Sequence, residues 1–144
     1  MKMIKGFSII VLLLIVTAAV SGDESLITLS VDYPEKPENP ILLKAVYRIP
    51  ENRYQTDDHD FFTFRILEPE LFKLTPVSYP EGTRKNGEKI YTGETVLTAG
   101  VILPEKITPG EYILSIEAGY QFCSFEGDCF FPQKKVVQVS VRIK

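Results

Sequence analysis

Apolar and polar residues alternate one by one along most of this chain. Ile27, Leu29 and Val31 are separated by Thr28 and Ser30, and Phe62, Phe64 and Ile66 by Thr63 and Arg65. Tyr112, Leu114, Ile116, Ala118 and Tyr120 form the cleanest stripe. Val137, Val139, Val141 and Ile143 form another, with Gln138, Ser140 and Arg142 pointing away. Two further runs alternate less cleanly: Ile41 to Ile49, bracketed by Pro40 and Pro50, and the β-branched stretch Thr95 to Leu103, stopped by Pro104. A period of two sends successive side chains to opposite faces of a strand, and a 3.6-residue apolar period is absent beyond the first 22 residues. About seven strands with turn signals between them predict an all-β fold, an immunoglobulin-like antiparallel sandwich with one wet face on each sheet. The chain has no Trp, so the buried Trp of an antibody domain is missing.

Three segments read as loops. Glu51 to Asp60 is polar and gathers Asp57, Asp58 and Asp60 around the sole histidine, His59. A metal site is the sharper reading of that cluster. It lacks the glycine and terminal glutamate of a calcium loop, however, and zinc would want more His or Cys. A solvated loop is the preferred reading, and no metal or cofactor is expected. Pro80 to Glu88 is rich in glycine and charge, a surface loop leading into Lys89-Ile90-Tyr91, and Ser124 to Asp128 is a short turn.

The 144 residues suit one domain. Lys2 and Lys5 precede an almost wholly apolar run of 14 residues, Phe7 to Val20, and Ala19-Val20-Ser21 offers a small-x-small cleavage pattern. This predicts a signal peptide over 1–22 and a mature domain over 23–144, periplasmic or secreted, with no stable membrane anchor after cleavage. The run is short for a hydrocarbon core of about 30 Å, and a retained anchor is the alternative. Lys2 and Lys5 are two of the 16 basic residues, so the remaining 14 face 19 acids, a net of −5. No basic cluster stands out, which argues against nucleic acid and anionic lipid as partners.

Cys123 and Cys129, the only cysteines, are separated by Ser-Phe-Glu-Gly-Asp. Five residues including a glycine is a common hairpin-loop length, and export makes a disulfide between the pair expected. Closing so short a loop stabilises a domain by only about 2–2.5 kcal/mol in the chain-entropy model. Strands already paired gain less still, so the bond is a poor staple. Glu126 and Asp128 in the turn disfavour a thiolate, so the pair should react well only with a partner's own low-pKa thiolate. Structural and redox roles both stay open on this chemistry.

Gly119-Tyr120-Gln121-Phe122-Cys123, five residues, and then Cys129-Phe130-Phe131-Pro132 resemble the N-terminal periplasmic domain of the thiol:disulfide interchange protein DsbD family. Tyr79-Pro80-Glu81-Gly82 and Lys89-Ile90-Tyr91 are similar to its Pro-x-Gly stretch and active-site cap loop. The resemblance covers roughly 41–144. Phe131 stands where the family usually has a proline, and Ile90 where it commonly has Phe. What the resemblance implies is an immunoglobulin-like domain that takes electrons from a thioredoxin-like C-x-x-C domain, itself fed across the membrane. It would then pass them to periplasmic thioredoxin-like proteins. The sequence holds neither a membrane domain nor a thioredoxin domain, so a stand-alone version is expected, with a membrane electron transporter on another chain. By the same resemblance, Ile90 and Tyr91 lie over the disulfide, helped by Tyr120 and Phe130; an ordinary core-facing strand residue is the other reading of Ile90. Cys129, which opens the aromatic Phe130-Phe131 segment, is the sulfur expected to meet the partner, and Cys123 the one that resolves the adduct. The reading from a different class is a non-enzymatic secreted binding or adhesion module with a structural disulfide.

Overall fold

The computed structural model describes residues 26–144. The expected signal segment lies outside the described residues. Each alternating segment becomes a strand, and the described residues contain no helix. The strands are β1 (Ile27–Asp32), β2 (Ile41–Arg48), β3 (Arg53–Thr56), β4 (Thr63–Glu68), β5 (Lys73–Leu74) and β6 (Thr83–Lys85). They continue with β7 (Glu88–Tyr91), β8 (Glu94–Ile102), β9 (Gly110–Tyr120), β10 (Phe122–Ser124) and β11 (Gln133–Ile143).

Two sheets make the sandwich, one in the order β1-β2-β8-β5 and the other β11-β9-β4. All their pairings are antiparallel, with Tyr47 opposite Thr95 and Ile116 between Ile66 and Val137. The inward residues follow from the period of two. Leu43, Ala45 and Tyr47 on β2, Leu97, Ala99 and Val101 on β8, and Leu114, Ile116 and Ala118 on β9 join one buried core. Each such Leu, Ile or Val contributes about 1.5–3 kcal/mol by leaving water, so the sandwich draws its stability from the two facing sheets.

A third sheet, in the order β10-β3-β7-β6, sits at one end. Here the structure corrects the sequence reading, with eleven strands among the described residues against about seven expected. Glu51 to Asp60 is not simply a loop, because Arg53–Thr56 is a strand in the middle of this sheet. Most of Pro80 to Glu88 is likewise a hairpin, with Lys85 opposite Glu88 around Asn86-Gly87. Both turn residues have positive φ, 50° and 81°, the geometry of a two-residue primed turn that Asn-Gly favours. The expected turn at Ser124 to Asp128 is present but shorter, because Ser124 is the last residue of β10.

Candidate functional site

The disulfide forms where one strand changes partners. Strand β9 pairs with β4 as far as Gly119 and with β11 as far as Tyr120; beyond Gln121, β10 pairs with β3, placing Cys123 opposite Tyr54. Two glutamines fix the crossing. The wholly buried Gln55 accepts the Gln121 backbone N–H on Oε1 at 2.7 Å and donates from Nε2 to the Thr56 carbonyl at 3.0 Å. Gln121 in turn donates from Nε2 to the Phe130 carbonyl at 3.1 Å, bracing the returning limb. With both ends of its amide bonded, Gln55 avoids the 1–3 kcal/mol or so that an unsatisfied buried polar group costs. Just upstream, the Phe61 carbonyl crosses Gly119 so closely that a Cβ there would lie 2.8 Å from the oxygen.

Across the hairpin, Ser124 N–H donates to the Asp128 carbonyl at 2.7 Å and Phe130 N–H to the Phe122 carbonyl at 2.9 Å. Cys123 and Cys129 lie between these bonds as a directly opposed, non-hydrogen-bonded pair, the type in which strands approach most closely. They are joined by a disulfide, with Cα atoms 3.9 Å apart. The loop beyond them is shorter than the cysteine spacing implies. Phe125, Glu126 and Gly127 form its tip, and Gly127 N–H donates to the Ser124 carbonyl at 3.0 Å with φ at 108°, a conformation that favours glycine.

The two cysteines see different surroundings. Cys123 has no exposed surface and packs with Tyr54 and Ile90 in a small buried cluster separate from the main core. Ile90 reaches it from β7, where it pairs with Thr56 of β3. Cys129 is exposed, and exposed aromatic residues are close to it in the chain: Phe125 and Phe130 are about half exposed and Phe131 is 85 % exposed. The Phe125 ring lies 5.4 Å from the Tyr54 ring. A cation stands over an aromatic ring on each side of the hairpin, Arg53 at 4.2 Å from the Phe130 ring and Lys85 at 5.0 Å from the Tyr54 ring.

Not every residue expected over the bond is there. Tyr91 follows Ile90 in the strand and so faces the other way, into the main core, 5.2 Å from the Phe62 ring. Tyr120 is half-buried at the rim of that core, 4.8 Å from Phe122. Tyr91 instead ties β7 to the end of β3, because its hydroxyl donates to Asp57 Oδ1 at 2.7 Å. Burial first, and then the Asp57 carboxylate, push the Tyr91 hydroxyl far up, so it remains a neutral donor. For Asp57, burial alone would raise the carboxyl; the hydrogen bonds from Tyr91 and His59, with Lys89 nearby, outweigh it and hold the group below the usual range. His59 lies 2.9 Å from Asp57 and stacks on Tyr79 with ring centroids 3.7 Å apart. Among the described residues, no group of three or more His, Cys, Asp or Glu is arranged to hold a metal ion.

Gln55, Tyr54 and Lys85 are the neighbours that sequence reasoning misses. Asn86-Gly87 marks a hairpin and so could have placed Lys85 beside the strand that bears Ile90, whereas no sequence signal marks Tyr54 or Gln55.

Fold and site together define a class: an immunoglobulin-like sandwich with an asymmetric cross-strand disulfide at one end. No family model and no curated protein matches the sequence. Among solved structures, the crystal structure of the Neisseria meningitidis DsbD N-terminal domain in its reduced form is similar, with a TM-score of 0.53 and 17 % identity over 83 % of this chain and 88 % of that one. The fold is therefore that of a DsbD N-terminal-like domain.

Proposed function

We propose that this protein is a thiol–disulfide electron relay that works through Cys123 and Cys129 after export to the periplasm. The observation that supports the reading best is the asymmetry of the bond, with Cys123 buried beside Ile90 and Tyr54 and Cys129 exposed and followed in the chain by exposed Phe130 and Phe131. A relay needs such a division. The thiolate of a thioredoxin-like dithiol attacks Cys129 Sγ, the S–S bond breaks, and its electron pair leaves on Cys123 Sγ. The partner's second thiol then attacks the mixed disulfide and releases the Cys129 thiolate. Two electrons have moved, and the partner holds the disulfide. Run in reverse toward an oxidised client, the same steps pass the electrons on, with Cys123 as the resolving sulfur. The dithiol that feeds the relay would itself be reduced through a membrane electron transporter. The attacking thiolate comes with the partner.

The test is trapping. A thioredoxin-like protein that lacks its resolving cysteine is activated on its nucleophilic cysteine as the thionitrobenzoate disulfide. It is then mixed with single-cysteine variants. Cys123→Ser, which leaves the exposed thiol, should accumulate a stable adduct, and Cys129→Ser should not. The reverse pattern would exchange the two roles. No adduct from either variant would overturn the relay. A reduction potential below about −300 mV would then mark a structural bond in a binding module.

A further inference from the structure

Lys85 is the one lysine on the disulfide face of the end sheet. It is half-buried, its ammonium lies 5.0 Å from the Tyr54 ring centroid, and Tyr54 is the cross-strand partner of Cys123. It takes part in none of the ion pairs among the described residues, which join Asp32 to Lys44, Asp57 to His59, and Glu117 to Arg65 and Lys134. The end sheet runs β10-β3-β7-β6, so Lys85 reaches back from β6 across β7 to the ring that stands next to the strand bearing the buried sulfur. We propose that Lys85 is a positioning residue for disulfide exchange, its charge stabilising the thiolate that forms on Cys123. This rests on the relay reading above, in which Cys123 is the leaving sulfur.

The physical case is a contest between burial and charge. When the bond opens, a full negative charge appears on a sulfur with no exposed surface, where desolvation disfavours it. The groups that face it are few. Tyr54 and Ile90 are neutral at its sides. Glu126 and Asp128 stand on the exposed turn, where water and salt screen them. Glu88 is exposed and opposes Lys85 in register. Arg53 is committed to the far face, over Phe130, and Lys89 lies over Tyr91, toward the main core. Of these groups, Lys85 alone combines a positive charge with partial burial on the correct face. A charge about 10–15 Å away, at an effective dielectric of about 20–40, changes the exchange rate by about three- to tenfold through its attraction for the leaving thiolate.

The experiment compares Lys85→Met and Lys85→Arg with the unchanged chain, using dithiothreitol as the reductant so that no protein partner is involved. Reduction is followed by acid quench and thiol labelling over about pH 6 to 9, at low salt and at about 1 M. In the Met variant, reduction should slow about three- to tenfold at low salt, and the deficit should shrink at high salt. The pH at which alkylation of the reduced pair reaches half its plateau should rise. The Arg variant should match the unchanged chain in both. Three outcomes overturn the proposal: an unchanged Met variant, equal losses in Met and Arg, or faster reduction in Met, which would make Lys85 a clasp that shields the bond. Failure of the trapping experiment would leave these dithiothreitol rates intact, so the two ideas fail separately.

Discussion

Cys123 and Cys129 are the same residue type six positions apart, yet only Cys123 is buried in a cluster with Ile90. That isoleucine contributes to no large core. It belongs to a cluster of three buried side chains, Tyr54, Ile90 and Cys123. Truncating it should therefore cost less than the 2–5 kcal/mol or so typical of a main-core Ile→Ala change, while uncovering the sulfur. In Ile90→Ala, reduction by dithiothreitol should be several-fold faster, with a denaturant midpoint only modestly lowered. An unchanged rate, measured by timed alkylation, would show that the isoleucine shields nothing. Asp57 acts differently, as an acceptor shared by Tyr91 and His59. Because its folded pKa is depressed, it stabilises the fold fully above its unfolded value of about 3.9, and that contribution is lost as pH falls through the folded pKa. Asp57→Asn should thus lower stability at neutral pH and flatten the acid limb below about pH 4. Urea midpoints at neutral and acid pH check both; an acid limb as steep as that of the unchanged chain would exclude Asp57 as its source.

Among the elements, the long strands were legible in the sequence and the short ones were not. Strands β1, β4, β9 and β11 run for six to eleven residues with one face toward water, so burial imprints a clear period of two. In the end sheet, Tyr54 and Gln55 are both buried, as are Ile90 and Tyr91, because side chains on one face meet the main core and those on the other cover Cys123. Burial on both faces erases the alternation, and four residues are too few to restore it. Polarity misleads as well: Gln55 reads as surface, but it is the bonded centre of the strand crossing. The candidate site is legible to the same extent. The spacing of the cysteines implies a hairpin. Tyr54 becomes the neighbour of Cys123, with Lys85 over its ring, only once β3 is known to lie beside β10, a pairing between segments far apart in the chain.

For the whole molecule, the disulfide is peripheral. The core of the two large sheets excludes Cys123 altogether. A domain of this size usually retains about 5–15 kcal/mol of net stability, and the bond supplies about 2 kcal/mol of it at most. The double variant Cys123→Ser/Cys129→Ser should therefore still unfold in one cooperative transition, at a lower denaturant midpoint. A chain already unfolded at room temperature would assign the bond a structural duty and count against the relay.

The separation of the cysteines also orders events in time. The sandwich closes only when partners such as Tyr47 and Thr95, or Thr63 and Gly119, find one another across some fifty residues, and such distant pairings make β topologies slow to assemble. The cysteines need close a loop of only six, a search that takes well under a microsecond in a loose chain. The two cysteines can thus meet before either sheet exists, and the bond then forms at the pace its oxidant sets. With two cysteines there is one intramolecular pairing to make, so early oxidation leaves no wrong bond to undo.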